Sequence, residues 1–141
     1  MRKLLVPVDS SENSIRALDY AIGLAKQFDL ELCLVNAQEA PIVYGEVEVY
    51  LTEEKARQLL HQHSEELIKP AVDRASTAGV RFTSAIIVGD VAKGIASHAE
   101  QNGCDGIVMG TRGMSAIGNL LMGSIATKVI HLSKLPVTLV K

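Results

Sequence analysis

The residues best suited to chemistry lie late in the chain, where glycines at 110, 113, 118 and 123 punctuate the run from Val108 to Ser124. Gly106, Ile107, Val108 and Met109 predict a short buried strand that stops at Gly110, and a loop then leads to Gly123-Ser124 and a new helix. A residue without a Cβ lets another group come close to its N–H, and successive exposed N–H groups ahead of a helix start make a cup for an anion. The chemistry suggested is phosphate binding through backbone amides. Two familiar phosphate motifs are missing. Gly118 is followed by Asn119, so there is no G-x-x-x-x-G-K-[ST] loop. The first strand-to-helix turn, Asp9-Ser10-Ser11, has no glycine, so there is no dinucleotide fingerprint.

Other side chains divide between site and scaffold. Asp9 alone reads as a turn or cap residue, but beside a glycine loop it becomes an acid facing a ligand crevice. Arg112 is either a phosphate partner or a solvated loop cation. Lys128 points to solvent, and Asp90 caps the helix that follows it. His61 and His63 are two positions apart and do not share a helix face. His98 and His131 fall in separate helices without acidic partners, so no protein-built metal site is expected. Ser10 and Ser11 have no histidine near them in sequence, and no catalytic base stands out, so the pattern supports binding rather than turnover. Cys33 lies in an apolar strand pattern and Cys104 in the turn Asn102-Gly103-Cys104-Asp105, a spacing for neither metal nor redox chemistry; both read as reduced thiols.

The elements that must position these residues alternate. Lys3 to Val8 predicts a strand buried on both faces, because Leu4, Leu5, Val6 and Val8 do not alternate with polar residues. After Asp9-Ser10-Ser11, where either serine can cap, Ile15, Leu18, Ile22 and Ala25 mark a helix through Gln27. Leu30 to Val35 is a second strand ending in Asn36-Ala37. Gln38 to Thr52, broken by Pro41 and Gly45 and locally strand-like at Val43, Val47 and Val49, is a lid or a plain connection. Glu53 to Ala78 is a helix with a stripe of Ala56, Leu59, Leu60, His63, Leu67, Ala71 and Ala75, a kink or break at Pro70, and a stop at Gly79. Phe82 to Val88, Val91 to Gln101, Gly106 to Met109, Ser124 to Leu132 and Val137 to Val140 continue as strand, helix, strand, helix and strand. Such alternation implies parallel strands joined by right-handed crossovers, with helices on both faces. Ligands of such sheets bind at the carboxyl ends of strands where strand order reverses. The tips carrying Asp9, Asn36-Ala37 and Gly110 then converge if strands one and four are neighbours.

Composition bounds the rest. With 141 residues the chain is read as one domain, 1–141, and 14 basic against 16 acidic residues leave a net charge of −2, which argues against a nucleic-acid partner. No apolar run approaches the ~20 residues of a membrane helix, and the apolar run after Met1-Arg2-Lys3 is too short for a signal peptide. A cytoplasmic protein is expected, with no membrane partner.

At this point the residues carry a resemblance. Gly110-x2-Gly113-x9-Gly123-Ser124 resembles the G-x2-G-x9-G-[ST] signature of the ATP-binding subgroup of the universal stress protein family. Pro7-Val8-Asp9-Ser10-Ser11 matches that family's P-x-D-x-S opening. Val35-Asn36-Ala37 and Leu135-Pro136-Val137-Thr138-Leu139-Val140 also fit, so the likeness spans the whole chain. It implies an α/β three-layer sandwich, a five-stranded parallel sheet ordered 3-2-1-4-5 of the adenine nucleotide alpha hydrolase-like kind. It also implies a homodimer formed through the last strand, Val137 to Val140. Members with the signature bind ATP or related adenine nucleotides (ADP, AMP), with Mg2+ or Mn2+ bridging the phosphates. Carried over, Asp9 would contact the adenosine part and Ala37 would lie against the adenine through its backbone. Gly110 and Gly113 would approach ribose and phosphate, and Gly123 and Ser124 would cradle the distal phosphates. Pro7, Val8, Ser10, Met109, Arg112 and Ile125 complete the implied nucleotide-contacting set.

Three functions stay open on the residues: a nucleotide-dependent regulatory protein of the stress response, a slow ATPase or self-phosphorylating enzyme using the same pocket, and an interaction module that needs no nucleotide.

Overall fold

The computed structural model describes residues 1–40, 52–112 and 122–141. Its elements are β1 (Lys3–Pro7), α1 (Glu12–Phe28), β2 (Glu31–Gln38), α2 (Glu53–Ala78), β3 (Arg81–Val88), α3 (Val91–Gln101), β4 (Gly106–Gly110), α4 (Ser124–Leu132) and β5 (Val137–Val140). All neighbouring strands are parallel, in the order β3-β2-β1-β4-β5, as expected. Strand order therefore reverses between β1 and β4, where Leu4 and Leu5 pair with Gly106 and Ile107.

The uninterrupted apolar run of β1 follows from its central position, because both of its faces are covered. Leu4, Val6 and Val8 pack with Ala17, Leu18 and Ala21 of α1 and Ile68, Ala71 and Ala75 of α2. Leu5 faces the other way, into a cluster with Ile95 and Ala99 of α3 and Ala126 and Val129 of α4. Alanine recurs on the inward helix faces, so the helices can lie close on the sheet.

Helix ends are set by local chemistry. Ser11 caps α1 by accepting from the Ser14 N–H, Thr52 caps α2 through the Lys55 N–H, and Asp90 caps α3 through the Lys93 N–H. Gly79, with φ 74°, ends α2 in the left-handed conformation that its missing Cβ permits. Of the two candidate cap serines, the second is the one used.

Three expectations need correction. β2 runs on to Gln38, so Asn36 and Ala37 are strand residues paired with Ile86 and Ile87, not the turn after a strand. α2 passes through Pro70 without a break. Its buried line is Ala56, Ser64, Ile68, Ala71 and Ala75, while Leu59 is 50% exposed and His63 is also exposed. Length accounts for this: 26 helical residues span about 39 Å, against about 26 Å for an eight-residue strand. α2 is therefore longer than the strands it lies against, so not every turn of the expected stripe can face them. Ser64 is fully buried, and among the described residues its hydroxyl has no hydrogen-bond partner. The lid-or-connection segment lies almost wholly outside the described residues, as do Gly113 and Gly118.

Candidate functional site

At the tip of β1 the chain closes on itself. Asp9 Oδ1 accepts the Ser11 N–H at 3.0 Å, and the Asp9 N–H donates to Ser14 Oγ at 3.1 Å. Ser11 Oγ takes the Ser14 N–H at 3.1 Å. Between them Ser10 sits at φ 68°, a left-handed conformation that a non-glycine residue adopts at a cost of about 1 kcal/mol or more. Its hydroxyl donates to the Leu67 carbonyl of α2 at 3.1 Å, which holds the turn in that shape. On the flank, the buried Asn36 donates to the Val8 carbonyl at 2.8 Å and accepts from Gln38 Nε2 at 3.1 Å. The Val8 N–H reaches the Val35 carbonyl at 2.8 Å. The backbone leaving β1 is thus fixed next to the last residues of β2, where Ala37 is half-buried.

The tip of β4 is fixed by a different residue. Asn13, in the first turn of α1 and only 6% exposed, donates to the Val140 carbonyl at 3.0 Å. Its Oδ1 accepts the Arg112 N–H at 2.7 Å and lies 3.5 Å from the Thr111 hydroxyl. One carboxamide therefore joins α1, the exit of β4 and the end of β5. It also occupies the space a side chain at Gly110 would need, since a Cβ there would collide with Asn13 Oδ1 and come within 3.1 Å of the Asn13 carbonyl carbon. The demand for glycine at 110 thus comes at least in part from the protein itself.

Across the loop, the Gly123 N–H donates to the Thr111 carbonyl at 2.6 Å, so the two ends of the segment 112–122 are pinned together. α4 then begins with Gly123 as its N-cap, a residue with no side chain to offer. The Gly123 carbonyl is taken by Thr127, through its N–H at 3.1 Å and its hydroxyl at 3.0 Å. The first N–H groups of any helix have no partner within the helix, and the helix dipole makes that end electropositive. Here Ser124 and its hydroxyl are exposed at that end, beside the half-buried Ile125.

The site residues expected from sequence thus fall on three strand tips and one helix start. Pro7, Val8 and Asp9 belong to the β1 tip, Ala37 to the β2 tip, Met109, Gly110 and Arg112 to the β4 tip, and Gly123, Ser124 and Ile125 to α4. Ser10 is part of the same turn, but its hydroxyl is engaged with α2. Lys128 is exposed, as expected. Asn13 and Asn36 went unnoticed in the sequence. A signal existed for each: Asn13 falls on the inward line continued by Ala17 and Ala21, and Asn36 ends the apolar run Leu32 to Val35. A polar residue where an apolar one belongs calls for a hydrogen-bonding reason.

The universal stress protein family matches residues 1–141. Universal stress protein YxiE of Bacillus subtilis is 32% identical over 145 aligned residues, covering 99% of this chain and 98% of that one. The solved UspA of Lactobacillus plantarum superposes with a TM-score of 0.84 at 20% identity, covering 99% of this chain and 97% of that one. A universal stress protein solved in complex with cAMP gives 0.72 at 25% identity, covering 99% and 97%. One from Archaeoglobus fulgidus in complex with dAMP gives 0.73 at 19%, covering 100% and 98%. The chain belongs to the universal stress protein family.

Proposed function

We propose that this chain is an adenine-nucleotide-binding regulatory protein, a single universal stress domain over residues 1–141. It would take ATP, ADP or AMP in the crevice between the β1 and β4 tips. The observation that carries the reading is the start of α4: a glycine cap, an electropositive helix end with exposed Ser124, and loop ends pinned beside the strand-order reversal. In this reading Ser124 and Ile125 give backbone N–H groups to the phosphates, with Gly113 and Gly123 allowing close approach. Asp9 and the backbone of Ala37 face the adenosine, lined by Pro7, Val8, Ser10 and Met109, and Arg112 stands at the phosphate side. The relatives solved with cAMP and dAMP agree with an adenine nucleotide as the ligand class. Among the described residues no group of three or more His, Cys, Asp or Glu side chains is arranged to hold a metal ion. In this reading Mg2+ or Mn2+ enters on the phosphates, keeping most of its water ligands.

The working form in this proposal is a cytoplasmic homodimer joined through β5. That strand ends the sheet, so among the described residues only β4 pairs with it, and Ile130 and Leu132 of α4 are 40% and 50% exposed. No helix is long and apolar enough to cross a membrane among the described residues. The test is to extract small molecules from the purified protein, identify them, and titrate ATP with and without Mg2+ by calorimetry. An adenine nucleotide in the extract, or saturable ATP binding, is the expected result. Protein that carries no nucleotide and is not stabilised by ATP overturns the proposal.

A further inference from the structure

On the face of the sheet covered by α1 and α2, the two helices do not close fully on each other. A partly enclosed cleft of about 190 Å3 lies between them. Its deepest side chains are Val8 of the β1 tip, Leu18 of α1 and Ala71 of α2, all buried. The half-buried Ile15 and Leu67 wall it on either side. Two polar links tie the helices together. The Ser10 hydroxyl donates to the Leu67 carbonyl at 3.1 Å, and Arg74 of α2 binds both oxygens of Asp19 on α1, through Nε and, at 2.8 Å, through Nη2. Leu67 and Arg74 are two turns apart on α2, about 10 Å along its axis. The apolar hollow lies between these ties, and Ser10 and Arg74 stand at its rim.

The polar groups of the hollow are placed for a ligand of one kind. Ser14 lines it and is only 6% exposed. Its oxygen accepts the Asp9 N–H at 3.1 Å, and no described residue accepts its hydrogen. A buried hydroxyl ordinarily finds an acceptor, and a ligand oxygen would supply one. Arg74 uses Nε and Nη2 on Asp19, while its Nη1 meets no described residue. A guanidinium held by a carboxylate still offers its flat face to an aromatic ring. Asp19 balances the charge of Arg74, so the hollow has no net charge to draw in an ion. A carboxylate would be repelled by Asp19, and an ammonium by Arg74.

We propose that this cleft binds a small uncharged aromatic molecule bearing one hydroxyl or carbonyl oxygen, a ligand of phenol size. An apolar protein cavity of roughly 150 Å3 takes benzene, so about 190 Å3 holds one ring with one polar substituent. The ring lies on Val8, Leu18 and Ala71, its oxygen accepts from the Ser14 hydroxyl, and Arg74 covers its outer face. The site is on the α1–α2 side of the sheet, apart from the crevice of the nucleotide reading, and shares with that crevice only Val8 and Ser10 at the β1 tip.

The experiment titrates the full chain with para-fluorophenol by fluorine NMR, with para-fluorobenzoate as the charged counterpart, while amide shifts of isotope-labelled protein locate the contact. Expected are saturable binding of the phenol with Kd of about 1 mM or tighter, binding of the benzoate at least about tenfold weaker, and shifts at Ser14, Leu18 and Ala71. Ile15→Phe, which fills the hollow from its wall, should weaken the phenol at least about tenfold with an unchanged circular dichroism spectrum. If that variant does not fold, the shift map of the natural chain decides alone. Absence of saturable binding overturns the proposal, as do shifts centred on Gly123 and Ser124, equal affinity for the benzoate, or unchanged affinity in folded Ile15→Phe. No nucleotide enters these readouts, so a failure here leaves the nucleotide reading where it stands.

Discussion

Two strand-to-helix turns stand side by side at the middle of the sheet, and they are built on opposite principles. The β1–α1 turn satisfies itself: Asp9 holds the Ser11 N–H, Ser14 holds the Asp9 N–H, and Ser11 caps the helix. Among the described residues the β4–α4 connection is held at its ends, by Asn13 on Arg112 and by Thr111 on Gly123, and its helix begins without a capping side-chain hydrogen bond. A helix start that supplies its own acceptor has less to offer an anion. A helix start capped by glycine keeps its donors for a ligand. In the proposed reading the first turn supplies a fixed wall for the adenosine, and the second leaves its donors for the phosphates.

The largest expected effect breaks the second turn outright. Gly110→Val drives a branched side chain into Asn13 and should cost about 3 kcal/mol of stability, read from urea unfolding, with ATP binding lost alongside. Gly110→Ala and Asn13→Ala each destabilise alone, the latter by about 2 kcal/mol through the partners it strands. Combined, they should cost less than their sum, because removing the carboxamide makes room for the new methyl. Strict additivity would show that Asn13 does not set the requirement for glycine.

Next comes Ser124→Asp, which puts a negative charge where the phosphates are proposed to sit. ATP affinity measured by calorimetry should fall at least about tenfold, or 1.4 kcal/mol, with the circular dichroism spectrum unchanged. An unaltered affinity would move the phosphates elsewhere. Ser11→Ala, the matching change in the first turn, should do the reverse: about 1 kcal/mol of stability lost and ATP affinity retained.

The smallest effect lies at the far end of the sheet. The Asp105 carboxylate accepts the Arg2 and Lys3 N–H groups at 2.7 and 3.0 Å, and these bonds hold its pKa below the usual aspartate value. A depressed folded-state pKa stabilises above the unfolded value and is lost as pH falls through the folded one. Asp105→Asn should therefore give a slightly shallower decline of stability in acid below about pH 4, with nucleotide binding untouched.

What the sequence made legible was periodicity. α2, α3, α4 and β5 begin and end where the pattern places them, and the alternation of elements implied the parallel pairing, while the strand order was implied by the family resemblance. The burial stripe of α2 slipped because periodicity does not fix which helix face meets the sheet: the buried line runs through Ala56, Ser64, Ile68, Ala71 and Ala75, and Leu59 and His63 lie off it. Site glycines were readable as glycines, but not the reason for Gly110, because Asn13 is brought to it only by the crossover fold.

Ser64 has a practical consequence. A helix facing the sheet carries, at its most secluded point, a hydroxyl that gave up water and, among the described residues, gained no bond in return. Alanine there would remove an unpaired oxygen and favour the helix, so Ser64→Ala is expected to raise the stability read from urea unfolding.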